Sequence, residues 1–393
     1  MAGALADITV VSFAQLAQGP VATQMLADLG AEVIKIERPG GEWQRNWSMA
    51  NEFPGGESAV FLSFNRNKRS IELDLKDEEH KEVAYELVDE ADVVIENFRP
   101  GVMERLGFGY EELSERNPGL VYATASGYGR KGPYAGRAGQ DVIIQGVSGL
   151  AALTGRRDDP PTPAGAAIVD FYSAANIAFG IMAALWHRER TGQGQKIDTS
   201  LLAAALNFEM QEISVYENAG VEPERSEAGI AHVYNQAPYG VYETADGHLV
   251  LSLSMPSEVG EAIDLDAIKD VDTWEEAWAR RDEIKRLIED ELRTDTTENW
   301  LEQLWEYDIW CGPVNDLGEA LAHPQIDAND MLWSVDHPTA GELNFASLPI
   351  TLSETPPELA RHPPLAGEHT EEVLRERGFP EETIERVLGD VED

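Results

Sequence analysis

At 393 residues the chain is long enough for two domains and a large core, and its 72 acidic against 30 basic residues leave a net charge of −42. The acid is spread along the whole length and lysine occurs only eight times, so the surface is that of a globular protein adapted to a salt-rich cytoplasm, with nucleic acid and anionic membranes excluded as partners. A single cysteine, Cys311, excludes an intrachain disulfide and fits a reducing compartment.

The N-terminus, M-A-G-A-L-A-D-I-T-V, has neither the basic region nor the apolar stretch of a secretory signal, so the expected location is cytoplasmic. Apolar runs then alternate with helical patterns: Ile8 to Phe13, Pro20 to Leu29, Glu32 to Ile36, Lys76 to Glu90, Asp92 to Ile95 and Leu120 to Thr124. That alternation predicts an α/β fold with a parallel sheet. Asp170 stands between Ala164 to Val169 and a small-residue run, Phe171 to Leu185, that meets no charge until Arg188. The run is too short and too polar for a membrane span and predicts a buried helix, with Asp170 as its N-cap. The positive helix end should keep that carboxylate ionised, which suits a nucleophile and a plain cap alike. After a turn at Thr191 to Gln195, a strand and helix run from Lys196 to about Ala219, and Glu222 to Glu227 reads as a linker. Beyond it, Tyr239 to Thr244 and His248 to Ser254 flank Ala245-Asp246-Gly247 as a hairpin that opens a smaller α+β domain. Trp274 to Trp305 is helical and acidic, broken by a cap near Thr294 to Thr297, with Trp274, Trp278, Trp300, Trp305 and Trp310 read as packing anchors ahead of the alternative, an interaction face. The tail is extended from Pro356 to Pro364 and ends in a helix from Thr370 to Arg377.

Several segments carry candidate chemistry. The loop Ala14-Gln15-Leu16-Ala17-Gln18-Gly19-Pro20 has one glycine where a dinucleotide fingerprint needs three, which weighs against NAD. Gln15 and Gln18 supply amide donors there, either to a ligand or to their own loop. Asn65-Arg66-Asn67-Lys68-Arg69, with Arg38 nearby, gathers cations that suit the phosphates of an anionic cofactor or a solvated turn. Asn97-Phe98-Arg99-Pro100-Gly101 follows the strand Asp92 to Ile95 at its carboxyl end, where open α/β sheets bind ligands; Phe98 either stacks on an adenine or plugs the end of the sheet. Ser126-Gly127-Tyr128-Gly129 and Gly132-Pro133 make a glycine-rich loop whose backbone donors can approach a ligand. The eight histidines show no metal-ligand spacing and no serine sits in a G-x-S-x-G elbow, so a metal centre and a serine hydrolase are disfavoured.

Taken together, Gly19-Pro20 to Pro39, Glu96 to Tyr110, Ser126 to Pro133, Asp170 to Gln195, Cys311-Gly312-Pro313-Val314 and His362 to Thr370 resemble the class III CoA-transferase family over essentially the whole chain. The resemblance implies that Asp170 is a nucleophile that attacks an acyl-CoA thioester, giving an aspartyl anhydride and then an enzyme–CoA thioester, with Gln15 or Gln18 assisting. It implies a CoA thioester as substrate and no permanently bound cofactor or metal. Arg38, Arg69, Asn97, Phe98 and Arg105 would hold the adenine and phosphates of CoA, with Lys131 and Arg137 in support. It further implies a Rossmann-like large domain with a parallel sheet (residues 1–221), a smaller α+β domain (222–330), a segment 331–393 that returns to the large domain, and an interlocked homodimer.

Departures from the family refine the expectation. The four-glycine lid of oxalate-using members is absent near Gly247, which disfavours formyl or oxalyl transfer. Related acyl-CoA racemases place a histidine where this chain has Gln140, followed by Asp141, and an amide cannot remove an α-proton, so racemization ranks second. Arg45, with Arg137, suits the distal carboxylate of a four-carbon dicarboxylate, beside Tyr128, Gln140 and Asp141. Succinyl-CoA transfer to mesaconate or malate is therefore the expected reaction. An NAD-dependent oxidoreductase and a non-catalytic acyl-CoA-binding protein are the competing classes.

Overall fold

Side chains alternate between two apolar layers along the strands of a parallel sheet, in a computed structural model that describes residues 3–392. Six strands, β1 (Thr9–Ser12), β2 (Glu32–Glu37), β3 (Lys68–Glu72), β4 (Val93–Glu96), β5 (Val121–Ser126) and β6 (Lys196–Ser200), pair in the order β3-β2-β1-β4-β5-β6. Val10, Val93, Ile95, Val121 and Ala123 face one layer, built on the helices Gln18–Asp28 and Ile168–Thr191. Val11, Val94 and Tyr122 face the other, built on the helices Glu78–Asp89, Thr370–Glu376 and Glu381–Glu392. Strand order reverses between β1 and β4, so the loops leaving their carboxyl ends diverge and open a crevice.

Residues 65–69, which composition suits to phosphate binding or to a solvated turn, run into β3, and their charges are buried because each has partners. Arg66 bonds Asp28 at 2.7 Å, and Arg69 pairs with Glu32, Glu372 and Glu376 at 2.7–2.9 Å. The C-terminal segment covers this edge of the sheet, with the His369 N–H donating to Ser70 O at 2.9 Å and the Asn67 N–H to Arg361 O at 3.0 Å.

The chain forms two compact units, one of Met1–Ile144, Ala167–Ala204 and Pro324–Asp393, the other of Gln145–Ala166 and Ala205–His323. In the smaller unit β7 (Gly240–Glu243), β8 (His248–Leu251) and β9 (Cys311–Pro313) form an antiparallel sheet in that order, with the β7–β8 turn at Ala245-Asp246-Gly247. Tyr242, Leu249 and Leu251 pack against Ile284, Ile288, Trp300 and Leu304. Of the five tryptophans read as anchors only Trp300 is in the core, its indole N–H donating to Leu292 O at 2.7 Å; Trp274, Trp278, Trp305 and Trp310 are 38–62% exposed. The larger unit also carries an antiparallel hairpin, β10 (Leu332–His337) and β11 (Gly341–Ala346), ahead of the extended tail.

The helix Ile168–Thr191 is long and apolar enough to cross a membrane, yet Ala174, Ile177, Ile181 and Ala184 are packed on the sheet. Its N-cap is Ala167, so Asp170 is the third helical residue and not the cap.

Candidate active site

The loops that leave β1 and β4 at the strand-order reversal line a cleft of about 340 Å³. Gln15 to Gln18 contribute from the first loop and Asn97 to Pro100 from the second; Asp170 enters from its helix. The two loops are tied to each other by an amide pair. The Gln15 N–H donates to Asn97 Oδ1 at 2.8 Å, and Asn97 Nδ2 donates to Gln15 O at 2.7 Å. Leu16, at φ 65°, turns the chain inside that loop, and Gln18 Nε2 donates to Ser173 Oγ at 2.6 Å, one turn along the helix from Asp170.

A second carboxylate takes the capping role expected of Asp170. Asp141 Oδ2 accepts the Val169 N–H at 2.7 Å and the Asp170 N–H at 3.0 Å. Asp141 is buried and does not line the cleft, so it is a cap for the helix rather than a substrate contact. The expected ionisation of Asp170 is corrected too. Burial, and after it the charge of Asp141, push its carboxyl up to about 7. Near neutral pH the group is about half ionised, and the carboxylate that forms is poorly solvated.

The loop after β5 contributes the remaining wall. Gly127 and Gly139 cross at its neck, where a Cβ on Gly127 would lie 2.6 Å from Gly139 Cα, so only glycine allows the two backbones to meet. Between them Tyr128 packs edge-on to Tyr134, whose ring carries the Arg137 guanidinium at 4.0 Å. Arg137 and Gln140 line the cleft, whereas Tyr128 and Tyr134 lie outside its lining.

The cation set divides in three. Arg38, Arg105 and Lys131 are exposed and outside the lining, although each follows the carboxyl end of a strand (β2, β4 and β5). Arg69 is not at this end of the sheet; it lines a separate cavity with Gly30 and Glu32, at the amino end of β2, and its charge is spent on three carboxylates. Arg45 is neither exposed nor in the cleft. Its guanidinium grips Glu37 in a two-pronged pair at 2.7 and 2.8 Å, donates to Pro364 O at 3.1 Å and lies 3.7 Å from the Phe61 ring centroid. Against the cost of burial, the bonds from Arg45 and the charge of Lys35 hold Glu37 down to about 2. Arg45 is therefore a structural ion-pair residue. Among the lining residues that sequence reasoning passed over, two carry side chains suited to a ligand. Arg99 sits inside the Asn97 to Gly101 motif, and its place after a strand was the available signal; Trp43 lies on a short 3₁₀ turn, Trp43–Asn46, with no periodic pattern to mark it.

The chain matches the sequence model of CoA-transferase family III over residues 5–370. It is 38% identical over 96% of its length to a succinyl-CoA:mesaconate CoA-transferase of Haloarcula hispanica, of which 97% is covered. A succinyl-CoA:glutarate CoA-transferase of Homo sapiens is 33% identical, over 95% of this chain and 85% of that protein. Among solved structures, a CAIB/BAIF family protein from Brucella suis superposes with a TM-score of 0.85 at 34% identity, covering 96% of this chain and all of that one.

Proposed function

The chain belongs to CoA-transferase family III, and from that premise we propose that it moves CoA from a dicarboxylic acyl-CoA to a free dicarboxylic acid, with Asp170 as the nucleophile. The observation that carries this reading is a desolvated carboxyl at the strand-order reversal, in one cleft with the glutamine loop and Asn97.

An oxygen of ionised Asp170 attacks the thioester carbonyl, the C–S bond breaks, and CoA leaves as a thiolate from a mixed anhydride. The thiolate attacks the aspartyl carbonyl, releases the donor acid, and forms an enzyme–CoA thioester. The acceptor carboxylate opens that thioester to a second anhydride, whose acyl carbonyl the thiolate then takes, which returns Asp170 as a carboxylate. Amide N–H groups of Gln15 and Gln18 are the candidate donors to the oxyanions, Gln18 being aimed through Ser173. Arg99 and Arg137 line the same cleft as Asp170 and suit the distal carboxylate of a succinyl or mesaconyl group. Asn97 and Phe98, which line the cleft, suit the pantetheine arm, and the exposed Arg38, Arg105 and Lys131, which follow β2, β4 and β5 in sequence, suit the nucleotide phosphates. Racemization is disfavoured because Gln140 is an amide and Asp141 is committed to the helix start.

The active form is an interlocked homodimer. Phe171, Phe179, Met182 and Trp186 leave an apolar stripe on the helix Ile168–Thr191, with Phe179 76% and Trp186 65% exposed, which a second copy would cover. The working environment is a salt-rich cytoplasm, in which a Debye length of ~3 Å at molar salt screens the net charge of −42. The reading is tested by assaying succinyl-CoA with mesaconate, malate, glutarate, oxalate and acetate in molar KCl. The expected result is transfer to the four- and five-carbon dicarboxylates, weakened selectively by Arg99→Ala and Arg137→Ala; acetate accepted as readily as mesaconate would overturn the dicarboxylate assignment.

A further inference from the structure

Three of the eight lysines, Lys35, Lys68 and Lys285, are 1% exposed, and two of them lie beneath the loop that carries Gln15 and Gln18. Lys35 Nζ donates to Ala14 O at 2.8 Å, immediately before the loop, and to Glu42 Oε2 at 3.2 Å. Lys68 Nζ donates to Pro20 O at 2.8 Å, two residues past Gln18 in the first turn of the helix Gln18–Asp28, and to Phe64 O and Asn65 Oδ1 at 2.7 and 2.8 Å. The loop's neck closes between these anchors, since a Cβ on Gly19 would lie 2.4 Å from Ala14 Cβ. A buried ammonium is tolerated only when its protons are bonded, and a methionine would fill the same space without that demand. Both lysines come from strands of the sheet, β2 and β3, whose backbones are fixed by their ladders.

We infer that Lys35 and Lys68 are positioning residues that pin the two ends of the Gln15–Gln18 loop by their Ala14 and Pro20 carbonyls, and so set where the loop's glutamines stand relative to Asp170. The pins act together with the Asn97 amide pair, which holds the loop at Gln15. With the anchors in place, Leu16 is held at its positive φ and Gln18 stays within reach of Ser173. Without one, the end of the loop it holds is released while the sheet, which has its own hydrogen bonds, remains. The inference rests on the proposed role of this loop in transfer, but the pinning itself can be measured without turnover.

Lys35→Met and Lys68→Met keep the apolar stem and delete the donor. Each variant is examined by hydrogen exchange with mass spectrometry, thermal melting, and steady-state kinetics with succinyl-CoA as donor. The expected result is a cooperative melt, exchange about tenfold faster in peptides spanning residues 13–21 with the rest of the sheet unchanged, and a fall of about tenfold in kcat/KM. Lys285→Met, in the smaller unit, should leave exchange at residues 13–21 as it is. If the methionine variants do not melt cooperatively, Lys35→Leu and Lys68→Leu, which also delete the donor with a shorter apolar side chain, replace them. Unchanged exchange at residues 13–21, exchange that rises uniformly through the sheet, or failure of both pairs to fold would overturn the inference and leave the lysines as parts of the fold alone. A wild-type chain without transfer activity would instead remove the proposed function, with the exchange data still deciding the pinning.

Discussion

Asp170→Asn should make the protein more stable while ending transfer. In the folded chain the carboxyl is raised from 3.8 to about 7, by burial first and by the charge of Asp141 second. A group raised in this way holds its proton more tightly in the folded state than in the unfolded one. Stability therefore falls as pH rises from the unfolded value toward the folded one, and the loss is complete above about 7. Three units at about 1.4 kcal/mol each give about 4 kcal/mol as an upper bound, because water entering the cleft screens the charge. Asparagine has nearly the same shape and no charge to bury, so it avoids the loss. The assay is thermal melting of both chains in molar KCl across the pH range, read as the difference in Tm so that the many other carboxyls cancel. Near pH ~4 the two should melt together, and above pH ~7 the asparagine chain should melt higher by a constant margin. A difference that does not change with pH, or an aspartate chain that melts higher at pH ~8, would refute the claim that the fold holds this carboxyl against its ionisation.

The same group sets a pH–rate prediction: kcat/KM should rise with pH through a limb near 7, and Asp141→Asn, which removes the neighbouring charge, should move that limb to lower pH, as read from a pH profile with succinyl-CoA. Arg45→Met should lower stability by about 3–5 kcal/mol, because it strands Glu37 buried and unpaired; an unchanged Tm together with lost dicarboxylate selectivity would return Arg45 to the substrate. Asn97→Ala deletes both bonds that fix Gln15 and should cost about 1–3 kcal/mol in the melt and raise KM for the acyl-CoA, measured by initial rates. Gel filtration in molar salt should give twice the chain mass of 43.3 kDa, and a monomeric mass would count against the interlocked dimer.

Much of the larger unit was legible because parallel strands announce themselves. Val10, Val11, Val93, Val94 and Ile95 form apolar runs buried on both faces, and the helical runs between them have the right length for crossovers. β3 was not legible. Lys68, Arg69 and Glu72 are charged yet buried, and their partners, Glu32, Glu372 and Glu376 among them, lie as far as 307 positions away in sequence. Pairing also hid the roles of Arg69, whose partners Glu372 and Glu376 are distant, and of Arg45, whose partners Glu37 and Glu57 are near, since a guanidinium spent on carboxylates looks, in sequence, like one offered to a ligand. Asp170 was found from its place before a small-residue helix, but its environment was not, because Asp141 meets that helix from 29 residues upstream. The glutamine loop and the Asn97 motif were legible as positions after strands, whereas Trp43 belongs to an irregular turn that no period marks.

The claim at the centre of the account is that Asp170 becomes covalently acylated and then carries CoA. The direct measurement is to incubate the chain with succinyl-CoA, trap with hydroxylamine or borohydride, digest, and map the masses of the peptides. The account predicts a hydroxamate or a reduced alcohol at Asp170, dependent on succinyl-CoA and lost in Asp170→Asn. An actively transferring enzyme whose Asp170 peptide stays unmodified, or whose label falls on another residue, would contradict it.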